Sequence, residues 1–141
     1  MKVFETSIVI RATPEIVWGI LSDVPHWTDW NTTVTKVEGT GALGSTVTVH
    51  AKISPGRAFP VKVVALEAPT RMVWSSGMPL GLFKGERTFL LTPKDGGVEF
   101  SMREVYTGLF SGMITKSIPD LTPAFVEAAE ALKKAAESKK G

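Results

Sequence analysis

Val3-Phe4-Glu5-Thr6-Ser7-Ile8-Val9-Ile10-Arg11-Ala12-Thr13-Pro14-Glu15-Ile16-Val17-Trp18 carries the chain from a strand into a helix within two residues. Thr13 is an N-cap type, and Pro14 suits the first helical position, where its missing N–H is no loss. Next come Asp23-Val24-Pro25-His26-Trp27-Thr28-Asp29-Trp30-Asn31, so three of the four tryptophans fall between positions 18 and 30. Aromatic surface gathered in this way needs something large to cover, either a core or a ligand cavity.

Beyond this corner the periodicity changes to two. Thr32 to Glu38 reads as a strand, followed by the glycine-containing connection Gly39 to Gly44. From Ser45 to Ile53, Val47, Val49, Ala51 and Ile53 alternate with Thr46, Thr48, His50 and Lys52, the pattern of a half-buried antiparallel strand. Ser54-Pro55-Gly56-Arg57 is turn chemistry, Phe59 to Glu67 is the returning strand, and Ala68-Pro69-Thr70 turns into Arg71 to Ser76. Gly77-Met78-Pro79-Leu80-Gly81-Leu82-Phe83 is an unusually apolar loop that needs a partner surface or a mouth to close. Glu86 to Thr92 and Val98 to Thr107 form a hairpin about Pro93 to Gly97, and Gly108 to Ser117 connects with partial helical character. From Asp120 a helix is expected to near the end, with Leu121, Phe125, Ala128, Ala129, Leu132, Ala135 and Ala136 as its apolar stripe.

The predicted architecture is α+β: one strand, one or two short helices, about six further antiparallel strands, then one long helix. That helix is the only element left to cover the apolar face of the sheet, which right-handed twist would curl around it. A chain of 141 residues without linker or internal repeat is read as a single domain spanning 1–141. With 16 basic and 14 acidic residues, the net charge of +2 does not point to nucleic acid, and part of the surplus is a tail of Lys133, Lys134, Lys139 and Lys140. No cysteine is present and there are only two histidines, so thiol chemistry and a cysteine or histidine-rich metal site are excluded. No cofactor is expected. Glu5 and Arg11 interrupt any signal-like apolar run, and no stretch approaches the roughly 20 apolar residues of a membrane span, so the expected location is cytoplasmic.

Four stretches carry a family resemblance: Ala12-Thr13-Pro14-Glu15-Ile16-Val17-Trp18; Asp23 through Trp27 to Trp30-Asn31; Ala68-Pro69-Thr70-Arg71-Met72-Val73-Trp74; and Gly85 to Pro93 with Arg103-Glu104-Val105-Tyr106-Thr107-Gly108-Leu109-Phe110. Together they resemble the START-like, or SRPBCC, superfamily, and within it an uncharacterised bacterial subgroup of the polyketide cyclase/dehydrase-like proteins. The resemblance covers nearly the whole chain and implies the helix-grip fold, a curved antiparallel sheet of six to seven strands around a long C-terminal helix. It says little about chemistry, since the superfamily includes carriers, cyclases and co-chaperone modules. Arg87 stands where the subgroup usually has histidine, and a guanidinium does not exchange its proton at working pH.

In the last hairpin, Phe89 and Leu91 share a face with Arg87, while Val98, Phe100 and Met102 share theirs with Glu104 and Tyr106. If the apolar members point into the concave face, Arg87 and Glu104 do too, as direct or diagonal neighbours. Two readings stay open: polar anchors for a ligand carbonyl, carboxylate or hydroxyl, or a structural ion pair at the open end of the sheet. Trp18 is assigned to the core and Trp27 to packing or a lid, while Trp30 and Trp74 either pack or line the cavity. Phe89, Met102, Tyr106, Phe83 and Phe125 complete the candidate ligand-binding set. His26, His50, Asp23 and Asp29 read as surface or turn residues.

The expected function is binding of a small hydrophobic or amphipathic ligand, lipid or aromatic polyketide-like, between the C-terminal helix and the sheet, by a monomer or homodimer. One alternative is a cyclase/dehydratase in which Arg87 polarises a carbonyl and Glu104 moves a proton. Another is a co-chaperone-like interaction module docking through the Met78–Phe83 loop.

Overall fold

A computed structural model of the protein describes residues 2–139; Lys140 of the basic tail lies outside them. The chain runs β1 (Lys2–Ile10), α1 (Pro14–Leu21), a 3-10 segment (Val24–Asp29), β2 (Val34–Glu38), β3 (Thr46–Ala51), β4 (Phe59–Glu67), β5 (Arg71–Met78), β6 (Phe83–Lys94), β7 (Gly97–Thr107), α2 (Ser111–Ile114) with a 3-10 turn (Thr115–Ser117), and α3 (Thr122–Lys139). The strands form one antiparallel sheet in the order β1-β7-β6-β5-β4-β3-β2. It is the helix-grip α+β fold.

The strand-to-helix switch works as its residues require. The Thr13 hydroxyl accepts from the Ile16 N–H at 3.2 Å, with the Thr13 backbone extended at φ −73° and ψ 155°. Val17, Trp18, Ile20 and Leu21 are buried on one side of α1. Asn31 delays the next strand: its side-chain oxygen accepts from the Thr33 N–H at 3.0 Å and the Thr33 hydroxyl at 2.6 Å, so β2 begins at Val34 rather than Thr32. Asp120 accepts from the Thr122 N–H at 3.0 Å, and α3 starts at Thr122 rather than Asp120.

The segment expected as a loop over 77–83 is strand at both ends. β5 continues to Met78 and β6 starts at Phe83, because the ladder continues through Gly77↔Lys84 and Met78↔Phe83. Only Pro79 to Leu82 remain as the connection. At the other end β6 runs through Pro93 to Lys94, and the turn tightens to Asp95-Gly96. Proline is tolerated there because β5 pairs with β6 only as far as Leu90, leaving Pro93 at a free edge on that side.

α3 lies along β1 and β7 and touches α1. Phe125, Ala129, Leu132 and Ala136 are buried, and Leu121, Ala128 and Ala135 flank them. Both margins of the sheet hold the helix. On one side, the Lys133 ammonium donates to the Val9 carbonyl at 3.0 Å and the Arg11 N–H donates to Glu137 at 2.9 Å. On the other, Glu127 accepts from the Thr32 hydroxyl at 2.6 Å and from Lys52 at 2.7 Å. No helix among the described residues is long and apolar enough to cross a membrane.

Candidate functional site

One row of cross-strand neighbours defines the site: Val63 on β4, Trp74 on β5, Arg87 on β6, Glu104 on β7 and Phe4 on β1. Period two explains it. Arg87, half-buried, shares its face with the buried Phe89 and Leu91, and Glu104 shares its face with the buried Met102 and Tyr106. Glu104 retains only 8% of its surface, and the pair is direct rather than diagonal. Arg87 donates twice to the same carboxylate oxygen, from Nε at 3.1 Å and from Nη2 at 2.6 Å to Oε2. This leaves Oε1 outside the clamp. The Arg87 guanidinium carbon also lies 4.8 Å from the Phe125 ring centroid, a cation–π contact from α3. The arginine is thus held between a carboxylate and an aromatic ring, and it bridges sheet to helix.

Two aromatic groups flank this clamp. Toward the β5–β6 connection, Phe83 stacks on Tyr106 at 5.7 Å, and Phe4 packs edge-on against Tyr106 at 6.2 Å and Phe125 at 6.4 Å. Gly85, the cross-strand partner of Tyr106, makes the space: a Cβ there would come within 3.1 Å of the Tyr106 ring. Burial, reinforced by the nearby Glu104 carboxylate, raises the Tyr106 phenol well above its ordinary 10.0. On the other side Trp27 stacks on Trp74 at 4.9 Å and meets Trp30 at 5.5 Å, and Phe89 packs edge-on against both Trp27 and Trp74. The Trp27 indole N–H donates to the Leu21 carbonyl at 2.8 Å. The indole N–H groups of Trp74 and Trp30 are buried with no protein acceptor. An indole N–H is a donor only, and an unanswered buried donor carries a desolvation cost of about 1–3 kcal/mol.

Of the predicted residues, Arg87, Glu104, Trp74, Phe89, Met102, Tyr106, Phe83 and Phe125 come together on the inner face and the helix above it. Trp30 sits at the edge, behind Trp27, and also borders a broad open groove between α1 and the outer side of α3. That groove, bounded by Ile20, Glu127 and Lys133, contains none of the other candidates. Trp27 is 3% exposed and joins the two indole donors, so it packs and is not a lid. His26 is solvent-exposed, raised by the Asp23 carboxylate, and His50 hydrogen-bonds Glu38 at 2.9 Å. Among the described residues no group of His, Asp and Glu is placed to hold a metal ion. Sequence reasoning missed Phe4 and Gly85. The signal for Phe4 was its alternation with Thr6, Ile8 and Ile10; for Gly85 it was a glycine inside a strand pattern.

The fold and the inner-face clamp define a helix-grip protein of the START-like, SRPBCC class. The family described as polyketide cyclase / dehydrase and lipid transport matches residues 1–137, and the chain belongs to it. No curated protein matches it by sequence. Solved structures resemble it at low identity. Norcoclaurine synthase from Thalictrum flavum, in complex with dopamine and hydroxybenzaldehyde, aligns with a TM-score of 0.73 and 16% identity over 99% of this chain and 88% of that one. The Aha1 dimer from Colwellia psychrerythraea aligns with a TM-score of 0.74 and 21% identity over 100% of both chains. A protein from Mesorhizobium loti aligns with a TM-score of 0.73 and 18% identity over 98% of both. At these identities the likeness is one of fold.

Proposed function

We propose that the chain binds a small hydrophobic or amphipathic molecule between α3 and the concave face, with Arg87 and Glu104 as its polar anchor. The observation that carries this reading is the Trp74–Arg87–Glu104 row: an ion pair and an unanswered indole donor on an otherwise apolar inner face. A core built for stability alone gains nothing from charge, since apolar replacements of a buried pair are often neutral or stabilising. Membership of a family described by cyclisation, dehydration and lipid transport supports the same reading.

Fluorescence titration of the four tryptophans with naphthalene and with 2-naphthol separates its parts. The intact protein is expected to take up both. Arg87→Met/Glu104→Leu is expected to weaken 2-naphthol about tenfold, the loss of one charge-assisted hydrogen bond, and to leave naphthalene unchanged. If neither compound binds, the inner-face binding site is wrong; equal loss or no loss of both removes the anchor.

A second reading, a cyclase/dehydratase, draws on Tyr106. A buried phenol that stays protonated beside Glu104 can hydrogen-bond and polarise a carbonyl oxygen together with Arg87, while Glu104 would move the proton. Norcoclaurine synthase shows that this fold houses an enzyme. Incubation of the same preparation with aromatic polyketones tests it, and full turnover by Glu104→Gln would end it.

A further inference from the structure

Trp74 is 2% exposed, and its indole N–H is buried without a protein acceptor. The ring itself is fully used: it stacks on Trp27 at 4.9 Å and meets Phe89 edge-on at 5.0 Å. Phenylalanine would supply ring contacts of both kinds and bring no polar atom. Packing therefore does not account for the indole nitrogen, whose burial carries an uncompensated desolvation penalty. The same cluster answers a donor elsewhere, since the Trp27 N–H reaches the Leu21 carbonyl at 2.8 Å. Trp74 thus holds a donor-only group, unanswered, on the strand position directly beside Arg87.

Charge on this face is balanced internally. Among the described residues of β5, β6 and β7, side-chain alternation puts only Arg87 and Glu104 on the inner side with charge, and they answer one another at 2.6 Å. Lys84 with Glu86, Lys94 with Glu99 and Arg103 with Glu5 pair on the outer side. From α3 the buried residues are Phe125, Ala129, Leu132 and Ala136, none of them charged. Lys2, exposed at the β1 margin, lies beside the Asp120 carboxylate. A carboxylate brought to the inner face would add a second negative charge near Glu104, where the one cation is already engaged, and would lose its hydration. A carbonyl oxygen meets neither penalty and accepts from an indole.

We propose that the site selects uncharged carbonyl compounds over carboxylic acids, and that Trp74 is the residue that reads the carbonyl. Its indole N–H donates to the ligand oxygen, while the mutually neutralised Arg87 and Glu104 turn carboxylates away. The aromatic rings of Trp27, Trp74 and Phe89 favour an aromatic body on the same ligand. This inference rests on the inner-face binding reading and names the chemical class which that site admits.

Equilibrium dialysis at neutral pH with three naphthalenes of matched shape tests the proposal: 2-acetonaphthone, 2-isopropenylnaphthalene and 2-naphthoate. The ketone is expected to bind about tenfold more tightly than the alkene, the gain from one answered donor. The carboxylate should bind about tenfold or more weakly than the ketone. Trp74→Phe should bring the ketone-to-alkene ratio to about one. Glu104→Gln, which leaves Arg87 unneutralised, should raise the naphthoate-to-ketone ratio about tenfold. Melting curves show whether each variant is folded, and the ratios of the intact protein and of Glu104→Gln decide the matter if Trp74→Phe is not. Equal binding of ketone and alkene, a preference that survives in folded Trp74→Phe, or naphthoate bound as tightly as the ketone overturns the proposal and leaves the inner-face site standing. An unchanged ratio in Glu104→Gln does the same. Binding of none of the three removes the site, and the proposal with it.

Discussion

Tyr106 is the only tyrosine in the chain, so its ionisation can be followed without interference. The folded protein holds the phenolic proton more tightly than the unfolded chain does, because burial disfavours phenolate. The sign follows: stability from this group is full below pH 10.0 and falls as pH rises toward the raised folded value. Tyrosinate absorbance is therefore expected to appear above pH 10.0 together with loss of tryptophan packing, and Tyr106→Phe should lessen the alkaline loss of stability. A phenol titrating at its ordinary value in a folded protein would show that Tyr106 is not sealed behind Phe83 and Phe4. At this scale, the inward direction of Arg87 and Glu104 was readable from their alternation with Phe89, Leu91, Phe100 and Met102. The cation–π contact to Phe125 was not, because it joins residues from opposite ends of the chain through packing alone.

Where local chemistry is strong the element itself was legible, although Asn31 and Asp120 each delay the start of the next element by two residues. The Thr13–Pro14 pair starts α1 where expected, and the stripe on α3 is the buried one. Ends set by pairing were not legible. β5 and β6 lengthen into the apolar segment because each has a neighbour to complete its ladder, and Gly85 is held in strand by pairing with Ser76 and Tyr106 on either side. The key contact of α3 with the site is Phe125, which touches both Arg87 and Phe4. Phe125→Ala is expected to cost about 3–5 kcal/mol in denaturant unfolding, the range for removing a buried phenylalanine. It should also unseat Arg87, so that 2-naphthol binding falls more than naphthalene binding. A cost below about 1 kcal/mol would mean that the helix does not close the site.

For the whole molecule, the question is what keeps the curled sheet closed on α3. Glu127 ties the helix to Lys52 beside β3 and to Thr32 beside β2, at the margin remote from β1. The Lys52 and Thr32 hydrogen bonds hold its carboxyl below the ordinary 4.5. The clasp therefore contributes fully above pH 4.5 and is lost as pH falls through the lowered folded value. Glu127→Gln is expected to lower Tm modestly at neutral pH, with the difference from wild type vanishing in acid. An acid-independent difference would assign the effect to packing instead.

The amino-acid order by itself determined the strand–helix entry, the antiparallel run and the apolar stripe of the last helix, because caps, proline and side-chain period act over a few residues. It also determined which face Arg87 and Glu104 share. Tertiary structure alone decided that Glu104 is the direct partner of Arg87, that Trp74 completes the row, and that Phe125 caps it. Those outcomes depend on the register of three strands and the seat of a helix, set by contacts far apart in the chain. The same holds for the tryptophan corner: Trp27 finds its acceptor at Leu21, while Trp30 and Trp74 do not find one, and only the packed molecule could make that distinction.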